Sequence, residues 1–323
     1  VNAPIARDSL PRIAALDPRI EVIHIGDLMK AEGEGDVAAS RELDTLLRSA
    51  EVIAGLRLPD GLLRRAPGLK WIQLTSAGVD HALDDSLRSS PVLLANAANL
   101  HSFAIAEFAF TACLTLAKGV RECYRQKESR LWEPYSPIIL RRKTMGIVGF
   151  GHIGRRIARM ANAFEMRVVG LRRSRSQPVR ARYADLVLPK DQLGKLLEES
   201  DFVVLTLPLT RETYHLIDKA ELATMKRTGF IVNVSRGPIV NEAALATALQ
   251  SGTIAGAAMD VFAREPLPED SPLFSLPNLF YSPHIAGWLA EYPDMVLEVF
   301  LDNLQRYAGG RNLQNIINKQ RGY

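Results

Sequence analysis

A chain of 323 residues with 47% hydrophobic and 24% charged side chains is long enough for two domains with real cores, and this balance excludes disordered and collagen-like classes. The formal charge of +4 comes without any Lys/Arg block interleaved with aromatics, so no nucleic-acid partner is expected, and no apolar run reaches the ~18–20 residues of a membrane span. The opening residues lack the charged-then-apolar form of a signal peptide, and there is no initial Met, so the natural start is expected to be trimmed or missing.

Short apolar runs alternate with helical periodicity, the pattern of an α/β protein with parallel sheets. Strands are expected at residues 21–25, 51–55, 69–74 and 92–95, with a helix over 39–49 among the connections. One more strand would normally open such a lobe, which agrees with a trimmed beginning. Residues 102–127 form one amphipathic helix with Phe103, Ala106, Phe110, Leu114 and Ala117 on its stripe. Cys113 and Cys123 lie on that helix, too far apart to bridge, and read as reduced thiols of a cytoplasmic protein. A second series follows, with strands at 144–148, 167–171, 202–205, 230–233, 254–260 and 279–281, making a six-strand unit. A last helix covers 294–307. The boundary falls near residue 100.

The second series opens on Gly149-Phe-Gly151-His152-Ile153-Gly154, directly after a strand and at the start of a helix over 153–163. In that context GxGxxG is a phosphate cradle. Gly149 permits the tight turn, Gly151 lets a pyrophosphate approach the backbone, and Gly154 lets helix pack on strand. The amides of His152 and Ile153 would hold the phosphates, leaving the His152 side chain in solvent. About 20 residues on, NAD binders place an acid on the ribose 2′-hydroxyl. Here the strand ends in Arg172-Arg173-Ser174, groups that grip a 2′-phosphate, so NADP(H) is the preferred cofactor and NAD(H) a possible one.

Three further strand ends carry chemistry: Asn233-Val-Ser-Arg236-Gly237, Met259-Asp260 through Glu265-Pro266, and Pro283-His284-Ile-Ala-Gly287. Reducing a 2-keto acid takes a cation for the carboxylate and carbonyl, a proton donor, and a carboxylate to keep that donor charged. Arg236, His284 and Glu265 are the types that fit. Among six histidines only His284 follows a strand end and precedes a small-residue turn, closed by Gly287, that can admit a cofactor ring. No metal site is expected.

These ordered motifs, with Ser76-Ala-Gly-Val-Asp80 and Leu207-Pro208-Leu-Thr210 plus Thr213, resemble the D-isomer-specific 2-hydroxyacid dehydrogenase family from about residue 21 to the end. The resemblance implies a hydride transfer between NADP(H) and a small 2-keto or D-2-hydroxy acid, as in glyoxylate/hydroxypyruvate reductases. Arg236 would bind the substrate, and Glu265 would pair with His284, the acid in reduction. Asp260 would hold the nicotinamide carboxamide, Leu207, Pro208 and Thr213 would line the adenosine, and Val234 and Ser235 would contact the ribose or nicotinamide. Ala77 and Gly78 would receive the substrate carboxylate by their amides, and Trp288 would shape or cover its pocket. It further implies two doubly wound parallel-sheet domains: a Rossmann NAD(P)-binding domain, residues 101–288, and a flavodoxin-like substrate domain, residues 1–100 plus 289–323, to which the last helix returns. A homodimer, built through the long helix and residues 132–140, follows by the same analogy.

Departures are Arg172 where an acid is usual and Asn241 where many members have Asp, the latter bearing on a helix cap. Alternatives are an NAD-dependent member such as a D-lactate or D-3-phosphoglycerate dehydrogenase, a relative acting on formate or phosphite, and a non-catalytic dinucleotide-sensing scaffold like the corepressors that share the fold.

Overall fold

The computed structural model describes residues 1–322. The chain forms two compact units, one built from Val1–His101 and the chain from Leu289 onward, the other from Ser102–Trp288. Among the described residues, eleven strands make two sheets of three and eight strands.

In the first unit β1 (Val52–Gly55), β2 (Trp71–Leu74) and β3 (Leu93–Ala95) pair in parallel, in that order. Successive side chains point to opposite faces, and both faces are buried: Ile53, Ile72 and Leu94 join one apolar cluster, Ala54, Trp71 and Ala95 another. The helix Tyr292–Ala308 belongs to the second cluster, burying Val296, Leu297, Phe300 and Leu304, with the Phe300 ring centroid 5.7 Å from that of Trp71.

Residues 21–25, expected as a strand, form no regular strand. Their partner is the three-residue segment at the chain's start. The Val1 amine donates to Ile23 O and Ile25 N to Val1 O, while Asn2 N donates to Ala54 O and Leu56 N to Ala3 O. Too few residues pair on either side for a regular strand. Hydrogen-bonded chain therefore lies in the order 23–25, 1–3, β1, β2, β3, matching the 2-1-3-4-5 order of a flavodoxin-like sheet.

The second unit opens with two helices, not the single one expected over 102–127. Ser102–Lys118 and Val120–Glu128 meet at a 59° bend. Gly119 adopts φ 61°, and the Tyr135 hydroxyl donates to the carbonyls of Lys118 and Gly119, capping the break. Cys113 is buried, which pushes its thiol up to about 12, while Cys123 is exposed against the Tyr135 hydroxyl; neither is in a disulfide. Phe103, expected on the buried stripe, is exposed, with the Arg156 guanidinium 3.2 Å over its ring.

The strands of this unit are β4 (Thr144–Val148), β5 (Arg167–Leu171), β6 (Val179–Ala181), β7 (Ala184–Leu188), β8 (Phe202–Leu205), β9 (Phe230–Asn233), β10 (Gly256–Met259) and β11 (Leu279–Tyr281). The expected six become eight because residues 179–188 form a hairpin. The sheet order is β11-β10-β9-β8-β4-β5-β7-β6, parallel except for β6. Within it, β7-β5-β4-β8-β9-β10 is the 3-2-1-4-5-6 order of a Rossmann sheet, so the overlooked β7 completes that pattern. Helices cover both faces: Met145, Ile147, Phe202 and Val204 pack with the helices Ser102–Lys118 and His152–Ala163, while Val148, Val203 and Leu205 pack with Leu196, Leu245 and Leu249.

Candidate active site

β4 lies at the switch point of the sheet, and its carboxyl end becomes the cradle. Gly149 has φ 104°, and a Cβ there would stand 2.7 Å from Thr206 O. A Cβ on Gly154 would stand 2.7 Å from Gly149 O and 2.9 Å from Ile147 Cγ2, so the helix packs on the strand only because no side chain intervenes. At Gly151 the same addition meets nothing nearer than Gly149 O at 4.0 Å: the space over this backbone is open. Gly151 also starts the helix without a side-chain cap, leaving its first amides for an acceptor from outside. Open backbone above an uncapped helix end fits a pyrophosphate. The His152 side chain is exposed, and its imidazole is held below the ordinary histidine range by partial burial and then by the charges of Arg155, Arg156 and Arg172.

After β5, Arg172, Arg173 and Ser174 are exposed on a turn closed by Arg175 N donating to Arg172 O. After β8, the Thr213 hydroxyl donates to Pro208 O at 2.7 Å and accepts from Thr210 N at 2.8 Å, so Thr213 folds the segment that holds Leu207 and Pro208.

β9, β10 and β11 are neighbours, so their carboxyl ends issue side by side. Asn233, fully buried at the end of β9, accepts from Ser235 N and Oγ and donates to Arg236 O. This turn buries Val234 and Ser235 and leaves Arg236 half-buried, its Nη1 donating to Ser235 O at 2.8 Å. Gly237 lies against the next strand's exit: a Cβ there would fall 1.9 Å from the carbonyl carbon of Phe262. Beyond β10, Glu265 accepts Phe262 N with Oε1 and faces His284 with Oε2, 2.7 Å from Nδ1. Glu242 Oε1 accepts the Ala263 amide and anchors the same loop.

Asp260 is buried, with Oδ1 accepting Ser282 Oγ and Ile285 N, and Oδ2 accepting Ala286 N. These bonds hold the turn that carries His284. Gly287 follows in that turn, half-buried, and Trp288 is 79% exposed. Asn241 caps the helix Glu242–Gln250 through Ala244 N, the role its departure from Asp implied.

Ala77 and Gly78 belong to the first unit, in the turn after β2. Asn96 Nδ2 holds Ala77 O, Ser76 Oγ donates to Gly78 O, and the Tyr292 hydroxyl donates to Thr75 O. The Ala77 and Gly78 amides meet no acceptor among the described residues.

Residues 110–286 match the model of the "D-isomer specific 2-hydroxyacid dehydrogenase, NAD binding domain". The chain belongs to the D-isomer-specific 2-hydroxyacid dehydrogenase family. It is 35% identical over 287 residues to glyoxylate/hydroxypyruvate reductase B of Serratia proteamaculans, covering 86% of this chain and 87% of that one. A D-isomer-specific 2-hydroxyacid dehydrogenase of Xanthobacter autotrophicus, solved with NADPH and MES, superposes with a TM-score of 0.83 at 28% identity, over 99% of this chain and 97% of that one. An NADPH-dependent glyoxylate/hydroxypyruvate reductase of Sinorhizobium meliloti, solved with NADP and sulfate, gives 0.80 at 25% identity, over 99% and 98%. This dehydrogenase is thus an oxidoreductase of 2-hydroxy acids whose second unit is the family's NAD-binding domain.

Several residues that shape these turns are not among the candidates read from the sequence: in the second unit Asn233 and Ser282 shape the turns of Arg236 and His284 and Glu242 holds the Glu265 loop, and in the first unit Asn96 holds the Ala77 turn. A polar side chain closing an apolar strand is the signal that marks Asn233 and Asn96.

Proposed function

We propose that this enzyme uses NADP(H) to reduce a small 2-keto acid, glyoxylate or hydroxypyruvate foremost, to its hydroxy acid, with His284 as the proton donor. The observation that carries the reading is the 2.7 Å contact of His284 Nδ1 with Glu265, in the same unit as the open cradle. An ionised carboxylate only accepts, so it fixes the proton on Nδ1 and leaves Nε2 to serve the substrate oxygen. A bound nicotinamide supplies the hydride. Arg236, issuing from the neighbouring strand, draws the substrate carboxylate and polarises its carbonyl. Val234, Ser235, Asp260 and Gly287 form the nicotinamide end; Gly149, Gly151, His152, Ile153 and Gly154 hold the pyrophosphate; Leu207, Pro208 and Thr213 flank the adenosine. The amides of Ala77 and Gly78 suit a carboxylate, and Trp288 bears on substrate choice.

Arg172, Arg173 and Ser174 favour NADP(H), and the relatives from Xanthobacter and Sinorhizobium were solved with NADPH and NADP. The assay is oxidation of NADPH and, in parallel, NADH by glyoxylate, hydroxypyruvate and pyruvate. Turnover with a higher kcat/KM for NADPH is expected; no oxidation by any 2-keto acid, or a clear NADH preference, overturns the reading. Trp132 and Ile139, 94% and 69% exposed, favour a homodimer through residues 132–140, and a monomer in light scattering at micromolar concentration would contradict it. Two thiols outside any disulfide favour a cytoplasmic setting.

A further inference from the structure

Glu212 Oε2 stands 3.2 Å from Lys190 Nζ and 3.8 Å from Arg173 Nη1. Neither the cradle nor the His284 pair requires this cluster. Its members come from three strand ends: Arg173 follows β5, Lys190 follows β7, and Glu212 lies beyond β8, next to Thr213. Hydrogen bonds tie down the segments that carry them. Arg172 N donates to Leu188 O at 2.9 Å, tying the ends of β5 and β7, and the Thr213 hydroxyl pins the loop that carries Glu212. Between β5 and β8 the sheet places β4, which ends in the cradle. A carboxylate reaching from the β8 side to cations beyond β5 therefore crosses the adenosine end of any dinucleotide whose pyrophosphate rests on the helix His152–Ala163.

We infer that Lys190 is a further cation for the 2′-phosphate of NADP(H), and that Glu212 is a built-in competitor for the same cations. This rests on the NADP(H) reading above. All three side chains are substantially exposed, so the internal pairs are weak and solvent-screened. A phosphate carries nearly two charges and three strong acceptor oxygens, so it displaces the single carboxylate from Lys190 and Arg173. A ribose 2′-hydroxyl does not. Glu212 then keeps its partners, and the cation cluster stays partly neutralised when NADH binds. The discrimination between cofactors is thereby adjusted, beyond Arg172 and Ser174, by three groups on separate loops, with Glu212 limiting how strongly phosphate is preferred.

The test is calorimetric binding of 2′,5′-ADP and 5′-AMP, which needs no turnover, to the wild type and to the Lys190→Ala, Glu212→Gln and Arg172→Ala variants. Lys190→Ala should weaken 2′,5′-ADP about tenfold while leaving 5′-AMP within about twofold, the scale of one charge-assisted contact. Glu212→Gln should tighten 2′,5′-ADP several-fold, roughly the loss of one competing charge. Equal weakening of both nucleotides by Lys190→Ala, or no weakening, overturns the role of Lys190. Weaker 2′,5′-ADP binding in Glu212→Gln makes Glu212 an organiser of the cations and overturns the competition. If the wild type itself binds both nucleotides alike and Arg172→Ala changes nothing, the NADP(H) reading falls too. If Arg172→Ala removes a wild-type preference that the other two variants leave intact, only this inference falls.

Discussion

Asp260 holds the backbone on which His284 stands. The Asp260 carbonyl accepts the His284 amide at 2.8 Å, while its carboxylate takes Ser282 Oγ at 2.6 Å, Ile285 N at 2.9 Å and Ala286 N at 3.0 Å. His284 sits at φ 56°, a left-handed conformation that a non-glycine residue keeps only where its surroundings over-determine it. Asp260→Asn puts an NH2 group where one oxygen accepted, so at least one buried donor is left unpaired, costing about 1–3 kcal/mol. The variant should lose that much stability in urea denaturation. Its kcat should fall roughly 10- to 100-fold as His284 shifts on its turn. Full kcat with unchanged stability would mean the turn holds itself.

His284→Gln keeps a polar side chain but removes the proposed proton donor, and kcat should drop about 10²- to 10⁴-fold. Dinucleotide affinity, read by fluorescence titration, should hardly change, because the cradle lies at the end of another strand. Glu265→Gln can still accept Phe262 N but no longer presents an anion to Nδ1, so its loss in kcat should be real yet smaller than that of His284→Gln. Near-normal turnover in His284→Gln would remove the assigned acid.

Most of this architecture is written in local patterns, and the exceptions have physical causes. The glycine cradle and the strand ends carrying Arg236, Glu265 and His284 were legible because each follows a short apolar strand, fully buried in β4, β9 and β10. β7 was not, since Asp185 interrupts its apolar run and its pairing depends on a long-range neighbour, β5. The break at Gly119 was hidden because helical periodicity continues on both sides, and only Tyr135, distant in sequence, makes the bend visible. The position of Asp260 at a strand end is legible in the sequence, but which donors its carboxylate meets is decided by the fold of residues 282–286.

Gly237→Ala should be among the most damaging single-methyl additions in this chain. The new Cβ would fall 1.9 Å from Phe262 C and 2.2 Å from Phe262 O, which are backbone atoms with no rotamer to yield. Relief requires the loop bearing Glu265 to move. A stability loss of about 1–3 kcal/mol is expected, as for overpacked cores, together with a fall in kcat. Gly194→Ala is the control: its Cβ meets nothing within 4 Å, and in the helix Leu193–Glu199 alanine should stabilise by up to about 1 kcal/mol. Denaturation midpoints of the two variants should move in opposite directions; similar small shifts would show that the 262–265 loop is pliable.

His152 should couple protons to dinucleotide binding. Its imidazole is held below the ordinary 6.5 by partial burial and then by Arg155, Arg156 and Arg172. Because the folded form binds protons less readily than the unfolded one, this group's contribution favours folding less as pH falls below 6.5. A pyrophosphate laid on the helix start offsets the arginine charges and moves the imidazole back up. Between the free and the bound titration points, binding therefore takes up protons, and affinity for the dinucleotide rises as pH falls through that window. Calorimetry at a series of pH values below 6.5, in two buffers of different ionisation enthalpy, measures the uptake. His152→Ala should bind the dinucleotide with no such uptake; if uptake persisted in that variant, or were missing from the wild type, the phosphates would not lie beside this imidazole.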